Sequence, residues 1–216
     1  MIYELKKDDF YFPNPQKIDE SGVVAFGGDL NPKRLINAYQ SGIFPWPYPN
    51  YPLLWFSPDP RAVLYPKHLY ISRSFRKNLK RYEIRFDKDF HNVITLCAKR
   101  RKGGTWITNE MIHAYCKLFE MGVAHSVESY DDNGVLAGGL YGVCVGNMFC
   151  GESMFFLQKD ASKAALYALS KRVDEKGGII DCQVMNDHIS SLGAVNISRD
   201  KFMQILFASR GKTTIF

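Results

Sequence analysis

The chain has 216 residues, of which 46% are hydrophobic, 14% aromatic and 23% charged, a balance that builds a sizeable core and excludes the disordered and low-complexity classes. Its formal net charge is +6, but twelve basic residues against three acids fall between Lys67 and Lys102, leaving the rest of the chain at −3. No apolar run approaches the roughly 18 residues of a membrane span, the N-terminal stretch MIYELKKDDFYFPNPQ lacks a signal-peptide apolar core, and no internal period suggests a repeat array.

A soluble, cytoplasmic protein is therefore expected, and nothing in the pattern demands a partner subunit, so a monomer is expected too. Cys97, Cys116, Cys144, Cys150 and Cys182 form no CxxC pair and are read as reduced, mostly buried thiols.

Residues 1 to 61 are punctuated by proline and glycine (FPNP, FGGDLNP, SGIFPWPYPNYP, WFSPDPR) and read as a small irregular N-terminal domain. Within it, Pro32 to Gln40 fits a short helix between Asn31 as N-cap and Gly42 as terminator. Residues 62 to 216 read as one larger domain. RAVLYP predicts a strand. From Ser72 a helix is predicted with Phe75, Leu79 and Tyr82 on its apolar face. Lys88 to Arg101 and Thr108 to Gly122 carry two more helical periods. The period then becomes alternating: AHSVESY, VLAGGLYGVCV and MFCGESMFF, separated by DDNG and GN turns, predict a three-stranded antiparallel meander. A helix over about Ala161 to Lys176, N-capped by Asp160, a short buried strand GIIDCQV, and a helical end from Asp187 with a short polar tail complete the chain. This order predicts an α+β fold, with a topology like the GCN5-related acyltransferases, whose central mixed sheet is splayed open near its middle.

Several residues stand out chemically. Arg73, Arg76, Lys77 and Lys80 recur at helical spacing, and Lys99, Arg100, Arg101 and Lys102 follow the next helix. A solvated basic face fits, and so does a polyanion surface, with nucleic acid as the natural polyanion. Trp46 and Trp106 each stand beside a turn, where an indole packs between lobes or stacks on a base. In IIDCQ, Asp181 and Gln183 share a strand face and need partners if that face is covered, either each other or a pocket. Glu152 lies in the apolar strand FCGESMF. Strict alternation places it opposite in parity to Phe149, although a bulge at Gly151 would let both approach one cavity. A solvent-facing position and a buried carboxylate awaiting a cationic partner both fit. His125 and His188 have no metal-site spacing, and no nucleotide or nucleophile motif occurs, so neither a metal nor a cofactor is expected.

Taken in order, GGDL (27–30), GIFPW (42–46), WFSPDPR (55–61), GTWI (104–107), GGLYG (138–142), FCGESMF (149–155), DASK (160–163), IDCQ (180–183), NDH (186–188) and SLGA (191–194) resemble the leucyl/phenylalanyl-tRNA protein transferase family. The resemblance implies transfer of Leu, Phe or sometimes Met from aminoacyl-tRNA to the α-amine of proteins beginning with Arg or Lys, which creates an N-degron. It places Asp181 and Gln183 in catalysis, Glu152 at the acceptor peptide, and Trp46 and Trp106 near the terminal adenosine. Phe149, Leu140, Leu166 and Ile180 fall at the aminoacyl pocket. The basic residues Arg73, Arg76, Lys77, Lys80, Lys99, Arg100 and Arg101 would meet the tRNA backbone. The alternative is a coenzyme A-dependent N-acetyltransferase, although FFLQKDASK lacks that family's pyrophosphate-loop glycine. A non-catalytic RNA-binding protein would leave Asp181, Gln183 and Glu152 without a joint purpose.

Overall fold

Short, proline-interrupted segments at the N-terminus pair into a sheet that periodicity does not reveal. In a computed structural model, which describes residues 2–99 and 105–216, the strands are β1 (Tyr3–Leu5), β2 (Val23–Gly27), β3 (Phe44–Trp46) and β4 (Leu54–Phe56). Their order is β1-β2-β4-β3, so the segment read as irregular is a four-stranded sheet. Strands of three to five residues are too short to display alternation. Proline 45 sits on the edge strand β3, where a missing ladder N–H is tolerated. Helix α1 (Pro32–Gln40) begins as expected, with the Asn31 side chain accepting from Lys33 N at 2.9 Å, and it buries Leu35, Ala38 and Tyr39.

The larger sheet contains β5 (Arg61–Leu64), β6 (Glu83–Phe86), β7 (Ala124–Tyr130), β8 (Leu136–Val145), β9 (Met148–Phe156), β10 (Ile179–Gln183) and β11 (Val195–Ile197). Its order is β11-β5-β10-β9-β8-β7-β6; β9 and β10 run parallel and the other neighbours antiparallel, so the sheet is mixed. The predicted meander is β7-β8-β9. Strands β6 and β11, four and three residues long, were not expected. One face carries α5 (Ala161–Glu175) through Leu166, Leu169 and Val173. The other carries α3 (Phe90–Lys99) and α4 (Asn109–Glu120), in a core that continues into α1, the small sheet and α7 (Arg199–Arg210).

Three local readings need correction. The helix predicted from Ser72 is α2 (Arg73–Asn78), tightening to a 3-10 turn over Leu79–Arg81, although Phe75, Leu79 and Tyr82 do share one apolar cluster. Asp160 does not cap α5 with its side chain. Its backbone is left-handed at φ 67°, and its carboxylate instead accepts from Asn78 Nδ2 at 2.8 Å. The end of the chain is not uniformly helical and polar: α6 (Asp187–Ser191), β11 and α7 follow one another, and Ile215 beyond them is 1% exposed. Among the described residues no helix is long and apolar enough to cross a membrane.

Candidate active site

Among the described strands, the one parallel pair of the large sheet opens almost as soon as it forms. Strands β9 and β10 pair from Ile179↔Met148 to Asp181↔Cys150 and then part. Each carries an extra residue at that level. Against β8, Gly142↔Gly151 is followed by Tyr141↔Ser153, which leaves Glu152 as a bulge; against β5, Asp181↔Val63 is followed by Gln183↔Ala62, which leaves Cys182 unpaired. A β-carbon on Gly142 would lie 2.2 Å from the Cys150 carbonyl oxygen and 2.6 Å from the Phe149 ring, so glycine is required opposite the bulge. The bulge switches the side-chain parity of β9. Phe149 and Met154 therefore pack with the α5 face, while Cys150 and Phe155 pack with the α3 face.

A cavity of about 360 Å³ occupies the opening, within the usual size of a small-ligand site. Glu152 and Phe149 both line it, the outcome that a bulge was expected to permit. Asp181, Gln183, Leu140, Leu166, Ile180, Trp46 and Trp106 line it as well. All nine residues singled out for catalysis, acceptor, pocket and adenosine thus converge on one cavity. Its base is apolar, where Leu140, Phe149, Leu166, Leu169 and Ile180 belong to one cluster. Its rim is aromatic: the Trp46 and Trp106 rings lie 6.1 Å apart, with Tyr48 stacked 6.3 Å from Trp46.

Between base and rim stands a polar network. Glu152 is 8% exposed and accepts from the Tyr39 hydroxyl and Gln183 Nε2, each at 2.7 Å through Oε1, and from the Tyr115 hydroxyl at 3.2 Å through Oε2. The two tyrosine hydroxyls also contact one another, so their two hydrogens are shared among three contacts. Burial pushes the Glu152 carboxyl up to about 7, against the opposing pull of its three hydrogen bonds. Burial, then the Glu152 charge, raises both tyrosines well above their usual range, so they remain neutral donors. Among the described residues no Lys or Arg lies in ion-pair range of Glu152, so its neighbours there are hydrogen-bond donors and not cations.

Asp181 is in the opposite situation. Both its oxygens receive the Arg61 guanidinium, at 2.8 and 2.7 Å, and the two side chains are 2% and 0% exposed. Arg61 also donates to Gly42 O at 3.1 Å and lies over the rings of Phe44 and Phe202. Asp181 Oδ1 still reaches Gln183, accepting from its backbone N at 2.9 Å, and Gln183 sits in the left-handed region at φ 64°. The strain of that conformation is held by the bond to Asp181 on one side and by the side-chain bond to Glu152 on the other.

A family model described as leucyl/phenylalanyl-tRNA protein transferase matches residues 63–207, and that family's N-terminal domain matches residues 28–59. The leucyl/phenylalanyl-tRNA protein transferase of Sulfurimonas denitrificans is 51% identical over 95% of this chain and 92% of its own length; that of Flavobacterium johnsoniae is 49% identical over 95% and 99%. The chain belongs to the leucyl/phenylalanyl-tRNA protein transferase family. Among solved structures, that of L-PGS from Bacillus licheniformis is 13% identical with a TM-score of 0.38, covering 76% of this chain and 53% of that one.

Two thiols lie close to the cavity, Cys150 beside the parting of β9 and β10 and Cys182 in its lining, and both are buried enough to stay protonated. Burial raises the Cys150 thiol well above its usual range and the Cys182 thiol to about 12. The described members of the basic set lie outside the cavity lining. Arg73, Arg76 and Lys77 on α2, Lys80 in the following turn and Lys99 at the end of α3 are all exposed, while Arg100 and Arg101 lie outside the described residues. Sequence reasoning missed Arg61, Tyr39 and Tyr115. Arg61 closes the WFSPDPR motif, which was the available signal; the tyrosines are indistinguishable in sequence from ordinary core positions on helical faces.

Proposed function

We propose that this transferase moves Leu or Phe, and sometimes Met, from the terminal adenosine of its tRNA to the α-amine of proteins that begin with Arg or Lys, creating an N-degron. The observation that carries the reading is one cavity in which an apolar base, an aromatic rim and a carboxylate with no Lys or Arg in ion-pair range among the described residues meet. In the reaction the amine nitrogen attacks the ester carbonyl carbon, a C–N bond forms, the C–O bond to ribose breaks, and one proton passes from the amine to the leaving oxygen. The ester is already activated, so holding amine and ester in a near-attack geometry supplies much of the rate.

Each group then has a task. The apolar base, Leu140, Phe149, Leu166 and Ile180, accepts the unbranched-Cβ side chain and rejects β-branched Ile and Val at about 1 to 3 kcal/mol per misfitted group. Trp46 and Trp106 stack the adenine. A carboxylate can only accept, so Glu152 turns the Gln183 amide with its NH₂ inward and leaves Oε1 to receive a hydrogen of the incoming amine. A carboxamide is too weak a base to take that proton, which passes by the ribose hydroxyl or water. Asp181 orients Gln183 through its backbone N, and the ionised Glu152 attracts the cationic acceptor residue. Arg73, Arg76, Lys77, Lys80, Lys99, Arg100 and Arg101 neutralise tRNA phosphates.

The same reading makes residues 62–216 a GCN5-related acyltransferase-type domain preceded by a small N-terminal domain over residues 1–61 that packs on it through a shared core, acting as a cytoplasmic monomer. Transfer of radiolabelled Leu from Leu-tRNA to a peptide with N-terminal Arg, but not to its N-terminal Ala counterpart, is expected. A folded protein that labels neither peptide would reject the reading; incorporation from acetyl-coenzyme A instead would favour an acetyltransferase.

A further inference from the structure

The last residues, GKTTIF, look like a solvated tail, yet they turn back from α7 onto the large sheet. Ile215, 1% exposed, joins the apolar cluster of Leu140, Phe149, Leu166, Leu169 and Ile180, all of which line the cavity. The Phe216 ring lies 6.0 Å from that of Phe149. Neither Ile215 nor Phe216 reaches the cavity itself. They are clamped from several sides. Arg172 Nε donates to Ile215 O at 2.7 Å, and its guanidinium lies 4.9 Å over Phe216 and 4.7 Å over Phe86. The His125 ring stacks flat on Phe216 at 4.2 Å and is itself held by Asp87 at 2.8 Å. Arg172 follows Leu166 and Leu169 along α5, so one helix supplies both pocket wall and clamp.

We propose that Ile215 and Phe216 form the backing of the aminoacyl pocket and help determine which side chain it accepts. The inference rests on the transferase reading above. Protein interiors are close-packed, so the position of the Phe149 ring depends on what stands behind it. With the Phe216 ring removed, Phe149 has room to withdraw and the apolar slot deepens, which favours donors larger than Leu.

The test compares Phe216→Ala and Phe216→Leu with Val173→Ala, whose side chain is buried in the same cluster but does not line the cavity. The readouts are kcat/KM for transfer from Leu-, Phe- and Trp-charged tRNA to an N-terminal Arg peptide, together with thermal midpoints. Phe216→Ala should raise the Trp-to-Leu ratio about 5- to 20-fold, Phe216→Leu should raise it less, and Val173→Ala should lower the midpoint while leaving the ratio unchanged. If Phe216→Ala does not fold, Phe216→Leu carries the comparison. An unchanged ratio with active wild type, or an equal shift in Val173→Ala, would overturn the proposal. Wild type that is folded but silent with every donor would remove the transferase reading, and this inference with it.

Discussion

Glu152 is placed so that its charge state matters at physiological pH. Its folded value near 7 lies above the ordinary carboxylate value of 4.5, because burial outweighs the three hydrogen bonds. The folded protein therefore holds this proton more tightly than the unfolded chain. The resulting stabilisation is complete below about pH 4.5 and is lost as pH rises towards and through 7, an effect on the order of 1 to 3 kcal/mol. Glu152→Gln should flatten the decline in stability between pH 5 and 8 in denaturant titrations. The same substitution should raise KM for an N-terminal Arg peptide about tenfold at pH 8 and far less at pH 6, where the native carboxyl is largely protonated. An equal penalty at both pH values would mean that Glu152 acts only through packing. Asp181 differs because Arg61 already balances it. Asp181→Asn strands a buried guanidinium and should cost about 3 to 5 kcal/mol of stability. The double variant Arg61→Met with Asp181→Leu should recover much of that stability while transfer stays about 100-fold down, since Gln183 has lost the acceptor that orients it. Recovery of both properties would reduce the pair to scaffolding.

At the scale of elements, legibility followed length. Helices α1, α3, α4 and α5 and the meander β7-β8-β9 are long enough for hydrophobic period and capping residues to display themselves. The missed strands β1 to β4, β6 and β11 are short and draw their stability from neighbours distant in sequence. The site was legible in part for a related reason. A glutamate, an aspartate and a glutamine in apolar strands are visible anomalies, and Gly151 marked the bulge. That Asp181 is paired to Arg61, 120 residues away, is a tertiary fact that no local pattern carries. Helix α2 shows the limit of spacing arguments: Arg73, Arg76, Lys77 and Lys80 were read as one helical stripe, but the backbone tightens at Leu79, and what persists is their common exposure. Replacing Arg76, Lys77 and Lys80 by Ala should weaken tRNA binding and reduce the slope of log K against log salt by about 2 to 3. A weaker complex with an unchanged slope would remove α2 from the tRNA footprint.

For the molecule as a whole, the small sheet with α1 and the large sheet with its helices share a continuous core, and polar links cross between them at the site. Tyr39 on α1 reaches Glu152 on β9, and Arg61 on β5 reaches the carbonyl of Gly42 just after α1. Docking of the N-terminal part is thus tied to the charge state of the central carboxyl. Tyr39→Phe isolates this coupling, because it deletes one hydroxyl and keeps the ring. Loss of the hydrogen bond withdraws the strongest influence holding the Glu152 carboxyl down, so its titration should move upward from about 7. The pH at which kcat/KM for an N-terminal Arg peptide reaches half its plateau should rise with it, at a stability cost of about 1 to 3 kcal/mol for the buried groups left unsatisfied. Tyr115→Phe should act in the same direction but less, since its bond to Glu152 is longer, at 3.2 Å against 2.7 Å. Because the two hydroxyls also contact each other, the double variant should depart from the sum of the single effects. If Tyr39→Phe lowers stability while leaving the pH midpoint unchanged, the N-terminal part only braces the site and does not tune it.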